Sequence, residues 1–111
     1  MPKRNTQLRN KCDFELTMDI IGGKWKGVVI YHLFKGEKRF VELRQLMPEI
    51  TQRTLTRQLR ELEHDKIVAR KVFAEVPPRV EYSLTEIGKA LDSAFAKINE
   101  WGAFYKNKRK K

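Results

Sequence analysis

The sequence predicts an α+β fold that is mainly α, on three observations. Apolar residues recur at helical spacing through most of the 111-residue chain. The stretch 68–84 breaks that rhythm, being rich in β-branched residues and then alternating around Pro77-Pro78. From Ile87 onward the helical rhythm returns and holds for about five turns. The length suits one domain with a real core, and four prolines with six glycines are too few for a disordered or fibrous chain.

The elements follow in order. Phe14, Met18 and Ile21 mark a first helix, with Asp13 as its expected N-cap and Gly22-Gly23 as its stop. A second helix over 24–34 places Trp25, Val28, Val29 and Leu33 on one face, and 35–38 turns. Phe40, Leu43, Leu46, Met47 and Ile50 describe a short third helix interrupted at Pro48. A fourth runs over 51–65. A strand over 68–76, a turn at Pro77-Pro78-Arg79, and a strand in which Val80, Tyr82 and Leu84 alternate with Glu81 and Ser83 make a hairpin. One long helix over 85–105 closes the domain, which spans 12–105 between basic tails at 1–11 and 106–111.

Composition excludes more than it assigns. The formal charge is +10, but the two tails hold nine basic residues and no acid, leaving 12–105 at only +1. Basic tails attract polyanions without regard to sequence and also serve plain solubility, so function must be sought in local charge placement. No apolar run reaches the roughly 18–20 residues of a membrane span, and the N-terminus lacks an apolar signal segment. A soluble, cytoplasmic chain is expected. A single cysteine excludes an internal disulfide framework and any multi-cysteine metal site. There is no phosphate loop, dinucleotide fingerprint or histidine pair at metal spacing; Gly22-Gly23-Lys24 lacks the preceding strand and is a helix break. His32 and His64 sit on separate helices and read as packing or surface residues. No enzyme, cofactor or metal is expected. Trp25 and Trp101 suit core anchoring or an aromatic effector pocket, and no effector is named by the residues.

The positive signal lies around Pro48-Glu49-Ile50-Thr51, where two short helices meet as in a helix-turn-helix. At 100° per residue, Leu55, Leu59 and Leu62 fall within about 60° of one another and face the core. Arg53, Arg57 and Arg60 cluster within about 60° on the opposite side. No acid lies between Thr51 and Arg60. Thr51 suits the cap, and Gln52 and Thr56 lie beside the arginines. Arg suits guanine edges and phosphates, while Gln and Thr suit adenine edges and backbone oxygens. Three such arginines are also ordinary solvent-face decoration, paired with Glu61 and Glu63. The preceding turn and the following hairpin weigh against that: a hairpin after a recognition helix is a wing. Arg79 at its tip is placed to reach a phosphate or the minor groove, although hairpin-tip arginines are also often merely solvated; Lys38 and Arg39 before the third helix are expected to add phosphate contacts.

Over residues 12–102 the chain resembles the HxlR family of bacterial winged-helix transcription regulators. The resemblance is carried by Ile21-Gly22-Gly23-Lys24-Trp25, Arg39-Phe40-Val41-Glu42-Leu43, Pro48-Glu49-Ile50-Thr51-Gln52-Arg53-Thr54-Leu55 and Leu59-Arg60-Glu61-Leu62-Glu63. The stretch Val76-Pro77-Pro78-Arg79-Val80-Glu81-Tyr82-Ser83-Leu84-Thr85 adds to it. It implies a winged helix-turn-helix with extra N- and C-terminal helices, and a homodimer on a roughly palindromic double-stranded DNA operator. The helix at 51–65 would enter the major groove, and repression is the family's usual sign of control.

Dimerisation has a separate sign in the sequence. Ile87, Leu91, Ala94, Ile98, Trp101 and Tyr105 recur at intervals of three and four, a heptad seam flanked by Phe95 and Phe104. Packing against its own domain is the competing use of that face. Cys12 is the one candidate for regulatory chemistry, since related regulators sense oxidants or electrophiles through a cysteine near this position. A helix start with Lys11 and Arg9 nearby favours thiolate. Asp13 and Glu15 oppose it, and the family's usual Cys-Pro step is Cys-Asp here. An inert thiol is the alternative. With no second cysteine, only an intersubunit Cys12–Cys12 bridge or a small-thiol adduct remains. Two other functions stay open: a non-specific nucleic-acid or architectural protein driven by the tails, and a winged-helix module that binds protein.

Overall fold

The computed structural model describes residues 12–110, so the 1–11 tail and Lys111 lie outside the described residues. The elements are α1 (Asp13–Ile21), α2 (Lys26–Leu33), β1 (Lys38–Arg39), α3 (Phe40–Leu46), α4 (Gln52–His64), β2 (Val68–Phe73), β3 (Arg79–Leu84), α5 (Glu86–Lys89) and α6 (Asp92–Arg109). This is a winged helix-turn-helix. α3 and α4 form the helix pair, and β2–β3 form the wing.

The helix ends follow capping chemistry. Cys12, not Asp13, is the N-cap of α1: its Sγ accepts the Glu15 N–H at 3.4 Å, and Glu15 Oε1 accepts the Cys12 N–H at 3.3 Å. That reciprocal pair leaves Asp13 inside the first turn, where its charge suits the helix dipole. Gly22 ends α1, and a side chain there would collide with the Met18 carbonyl. α2 buries Val29 and Leu33 of the expected face, together with Lys26 and Ile30 in place of Trp25 and Val28. The helix starts two residues later than the expected 24–34, and Val28 is exposed. Trp25, ahead of the helix, packs against the core from its edge.

Between α3 and α4, Met47 and Ile50 are both buried, and the Ile50 N–H donates to the Met47 carbonyl. These two anchors hold the turn shut while Pro48 and Glu49 face solvent. The end of α4 is closed by Lys66 at φ 64°, with Ile67 N–H donating to Leu62 O and Lys66 N–H to Glu63 O. That is a Schellman closure with Lys in the place usually taken by glycine, and buried Leu62 and Ile67 supply its apolar contact.

The sheet has the order β1-β3-β2 and is antiparallel throughout. β1 is a two-residue strand that the turn expected at 35–38 did not foresee; Lys38 pairs with Tyr82 and Arg39 with Glu81. Period-two alternation puts Val68, Arg70 and Val72 on one face with Leu84, Tyr82 and Val80, and buried Val68 and Leu84 mark it as the core face. The core gathers α2, α3, α4 and this face around Val29, Ile30, Leu43, Leu55, Leu59, Leu62 and Val68.

The last helix departs from the single 85–105 rod. Gly88 is buried so closely against the Ile67 carbonyl and Leu84 that no Cβ fits, and the Leu91 N–H bonds Gly88 O, three residues back. The tightened turn separates α5 from α6. α6 then continues to Arg109, taking Lys106, Lys108 and Arg109 into its final turn, where cations suit the dipole; the expected tail is largely helix. No described helix is long and apolar enough to cross a membrane.

Candidate nucleic-acid interface

α4 carries the two faces that its periodicity demands. Leu55, Leu59 and Leu62 are buried, whereas Gln52, Arg53, Arg57 and Arg60 are exposed. Thr51 caps the helix: its Oγ1 accepts the Thr54 N–H at 3.1 Å and donates to Thr54 Oγ1 at 2.9 Å. Thr56 donates its hydroxyl proton back to the Gln52 carbonyl at 2.8 Å. Both threonine protons are therefore spent within the helix, and the outward donors are Gln52 and the three arginines.

Of the two acids that a solvent-face reading pairs with these arginines, Glu63 stays exposed and lines a notch with Arg60, and Glu61 is drawn away. Glu61 points inward to an ion pair with buried Lys26 of α2. Among the described residues, Arg53, Arg57 and Arg60 make no ion pair with any carboxylate. Unpaired guanidiniums on one helix face form a row of bidentate donors for base edges and phosphates.

The remaining predicted contacts are scattered. Arg39 is exposed at the N-cap of α3, its N–H donating to Glu42 Oε1 at 2.7 Å. Lys38 is half-buried, with Nζ donating to the Gly36 carbonyl at 3.3 Å. Arg79 is not a free cation at the wing tip. Its guanidinium lies 3.9 Å from the centroid of Phe73, its cross-strand partner, and it pairs with Glu75 at 3.2 Å and Glu81 at 3.6 Å. Two acids within reach compete with any phosphate for it. The wing instead presents a residue the sequence reading passed over: Arg70, which stands with Tyr82 across a notch from Arg60. The signal was available, because Arg70 is in phase with core-facing Val68.

The expected dimer face divides. Ile87, Ile98, Trp101 and Tyr105 are exposed, with Trp101 at 61% and stacked on Tyr105 at 5.2 Å between centroids. Ala94 is exposed as well, but Leu91 and Phe95 turn inward, Phe95 meeting Phe34 edge-on at 5.6 Å. The break after α5 rotates Leu91 off the seam. α6 buries no residue completely. Beside it, Met18, Val28, Tyr31 and Ile98 line an open apolar groove of about 620 Å³. Trp25 packs against the core, whereas Trp101 is exposed on the surface. Cys12 is an exposed free thiol at the start of α1. Of the histidines, His32 is held below its ordinary value of 6.5, first by burial and then by the charges of Lys35 and Lys38.

Comparison with known proteins agrees with this geometry. The family model described as HxlR-like helix-turn-helix matches residues 20–110. The chain is 56% identical over 97 residues to the uncharacterized HTH-type transcriptional regulator YdeP of Bacillus subtilis, covering 87% of this chain and 76% of that protein. Among solved structures, the redox regulator HypR in its oxidized form is 56% identical with a TM-score of 0.80, covering 83% of this chain and 95% of that one. Its reduced form is 52% identical with a TM-score of 0.85, covering 89% and 98%.

Proposed function

This chain belongs to the HxlR-like helix-turn-helix family, whose members are transcription regulators rather than enzymes, and on that premise we propose that it is a sequence-specific repressor acting in the cytoplasm. Two copies bind a roughly palindromic duplex operator, with α4 of each in the major groove. The observation that carries this reading is the bare arginine face of α4, free of ion pairs among the described residues while Glu61 is drawn inward by Lys26. Arg53, Arg57 and Gln52 read base edges; Arg60, Arg39 and Lys38 hold phosphates. The exposed apolar residues of α6 support a two-fold contact that sets the two copies of α4 about one helical turn of DNA apart.

Redox control is the second part of the proposal, supported by the likeness to HypR, described as a redox regulator, and by an exposed Cys12. Two Cys12 thiols, one from each protomer, give up two protons and two electrons to an oxidant of the azo type and form one disulfide, the azo bond being reduced to a hydrazine.

The test selects duplexes from a genomic library with reduced protein, then titrates a selected and a scrambled duplex by fluorescence anisotropy. A preference of roughly 10³ or more is expected of a specific regulator. Equal binding to every duplex would instead support sequence-blind attraction by the basic ends. Repeating the titration with diamide on wild type and on Cys12→Ser tests the switch, which requires a response in the first protein only.

A further inference from the structure

Between α4 and the wing lies a notch of about 320 Å³, lined by Thr56, Leu59, Arg60, Glu63, Arg70 and Tyr82. Its construction follows from strand register. Arg70 pairs directly with Tyr82, and Tyr82 pairs on its other side with Lys38, so the three form one row across the sheet. Alternation puts that row on the same face as buried Val68 and Leu84, the face turned toward α4. A basic residue thus occupies an inward-phase position at the open edge of the core. Arg60 comes to the same notch from α4, with buried Leu59 behind it.

Charge decides what the notch takes. Among the described residues neither Arg60 nor Arg70 makes an ion pair, unlike Arg79 and Lys26, which are both committed. Glu63 is the one carboxylate on the wall, so two guanidiniums face one acid and the notch is net positive. Two planar donor forks from different elements, beside a tyrosine, suit a tetrahedral oxyanion. Arg60 is also one turn, about 5 Å, from Arg57 along α4. An anion in the notch therefore sits where the backbone walls the groove that Arg53 and Arg57 enter.

We propose that Arg70 and Arg60 clamp one phosphate of the DNA backbone, tying the wing and the recognition helix to the same strand and setting the angle of α4 in the groove. The inference rests on the DNA-binding reading above. The contact is electrostatic and blind to base identity, with Glu63 weakening it.

The experiment measures affinity against salt concentration for wild type, Arg70→Gln, Arg70→Lys and Glu63→Gln, each on the library-selected and the scrambled duplex. Arg70 is exposed, and thermal melts check that each variant folds. Arg70→Gln should reduce the slope of log affinity against log salt by about 0.9 for each Arg70 engaged. It should weaken both duplexes by the same factor, leaving their ratio unchanged. Arg70→Lys should keep the slope, and Glu63→Gln should tighten binding to both. A wild-type slope in Arg70→Gln, with specific binding intact, overturns the clamp alone. Inorganic phosphate at constant ionic strength should weaken duplex binding by wild type and not by Arg70→Gln; phosphate that binds wild type through Arg70 without competing with the duplex overturns the assignment to DNA. A wild type indifferent to sequence overturns the reading beneath it as well.

Discussion

Lys26 of α2 and Glu61 of α4 form an ion pair in the interior, with Lys26 only 6% exposed. The pair joins the helix beside the apolar groove to the helix that carries the arginines. It also removes the first acid that follows the arginine stripe from the solvent face. Burying one such charge without its partner is costly, whereas replacing both by apolar groups is often neutral. Lys26→Met should therefore destabilise by about 3–5 kcal/mol. The double variant Lys26→Met/Glu61→Leu should recover most of that loss in urea denaturation. A double variant no more stable than the single would mean that the pair is not the source of the effect.

Arg57 stands in the middle of the exposed stripe, with no carboxylate partner among the described residues. Arg57→Ala should cost roughly 1–3 kcal/mol on the selected duplex and relax discrimination at one base position. Competition with a panel of singly substituted duplexes reads both effects. A uniform loss across the panel would make Arg57 a phosphate contact instead.

Trp101 is the largest exposed apolar side chain of α6, next to Ile98 at 57%. If a second copy covers this face, Trp101→Asp shifts the protein to monomer in sedimentation without changing its circular dichroism. Loss of high-affinity duplex binding should follow, because only one half-site remains engaged. An unchanged sedimentation coefficient would place the dimer contact elsewhere.

Gly88 marks the junction of the wing with the C-terminal helices. Thr85 Oγ1 donates to the Lys66 carbonyl at 2.6 Å and accepts the Gly88 N–H at 3.1 Å, so the α4–β2 turn and α5 share one cap. An added Cβ at Gly88 would overlap the Ile67 carbonyl. Backbone has to move, and Gly88→Ala should destabilise by about 1–3 kcal/mol. A melting temperature equal to that of wild type would show that the junction yields freely.

His32 makes stability fall on acidification. Burial, then Lys35 and Lys38, depress its pKa in the folded state below the ordinary 6.5. Above about pH 6.5 both states are neutral there and the contribution is complete. As pH drops through that value the unfolded chain takes up a proton that the folded one refuses, so unfolding gains. The loss continues until the folded imidazole titrates too. Melting curves between about pH 8 and 5 should show a shallower decline for His32→Gln than for wild type. Parallel curves would assign the acid sensitivity to other groups.

Much of this molecule is visible in one dimension because helical periodicity and capping are local. Leu55, Leu59 and Leu62 against Arg53, Arg57 and Arg60 follow from 100° steps along a single helix, and Thr51 and Gly22 end their helices by chemistry within four residues. The hairpin was equally legible in Val80, Tyr82 and Leu84. The two-residue strand β1 was not, since Lys38 and Arg39 become a strand only by pairing with distant Tyr82 and Glu81.

What tertiary structure alone decided is the fate of the long charged side chains. Lys26 is buried because α4 offers it Glu61; Arg79 is bent onto Phe73 because the register sets them opposite; Arg70 and Arg60 line one notch because the core face of the wing turns toward α4. Leu91 turns to the core at the tightened turn between α5 and α6, where its N–H bonds the Gly88 carbonyl. A periodic pattern states which side of its own element a residue occupies, whereas the partner on that side is set by the packing of segments far apart in the chain. Local patterning therefore suffices for the winged helix-turn-helix and its basic face, and three-dimensional packing sets which of its cations remain free to meet a phosphate.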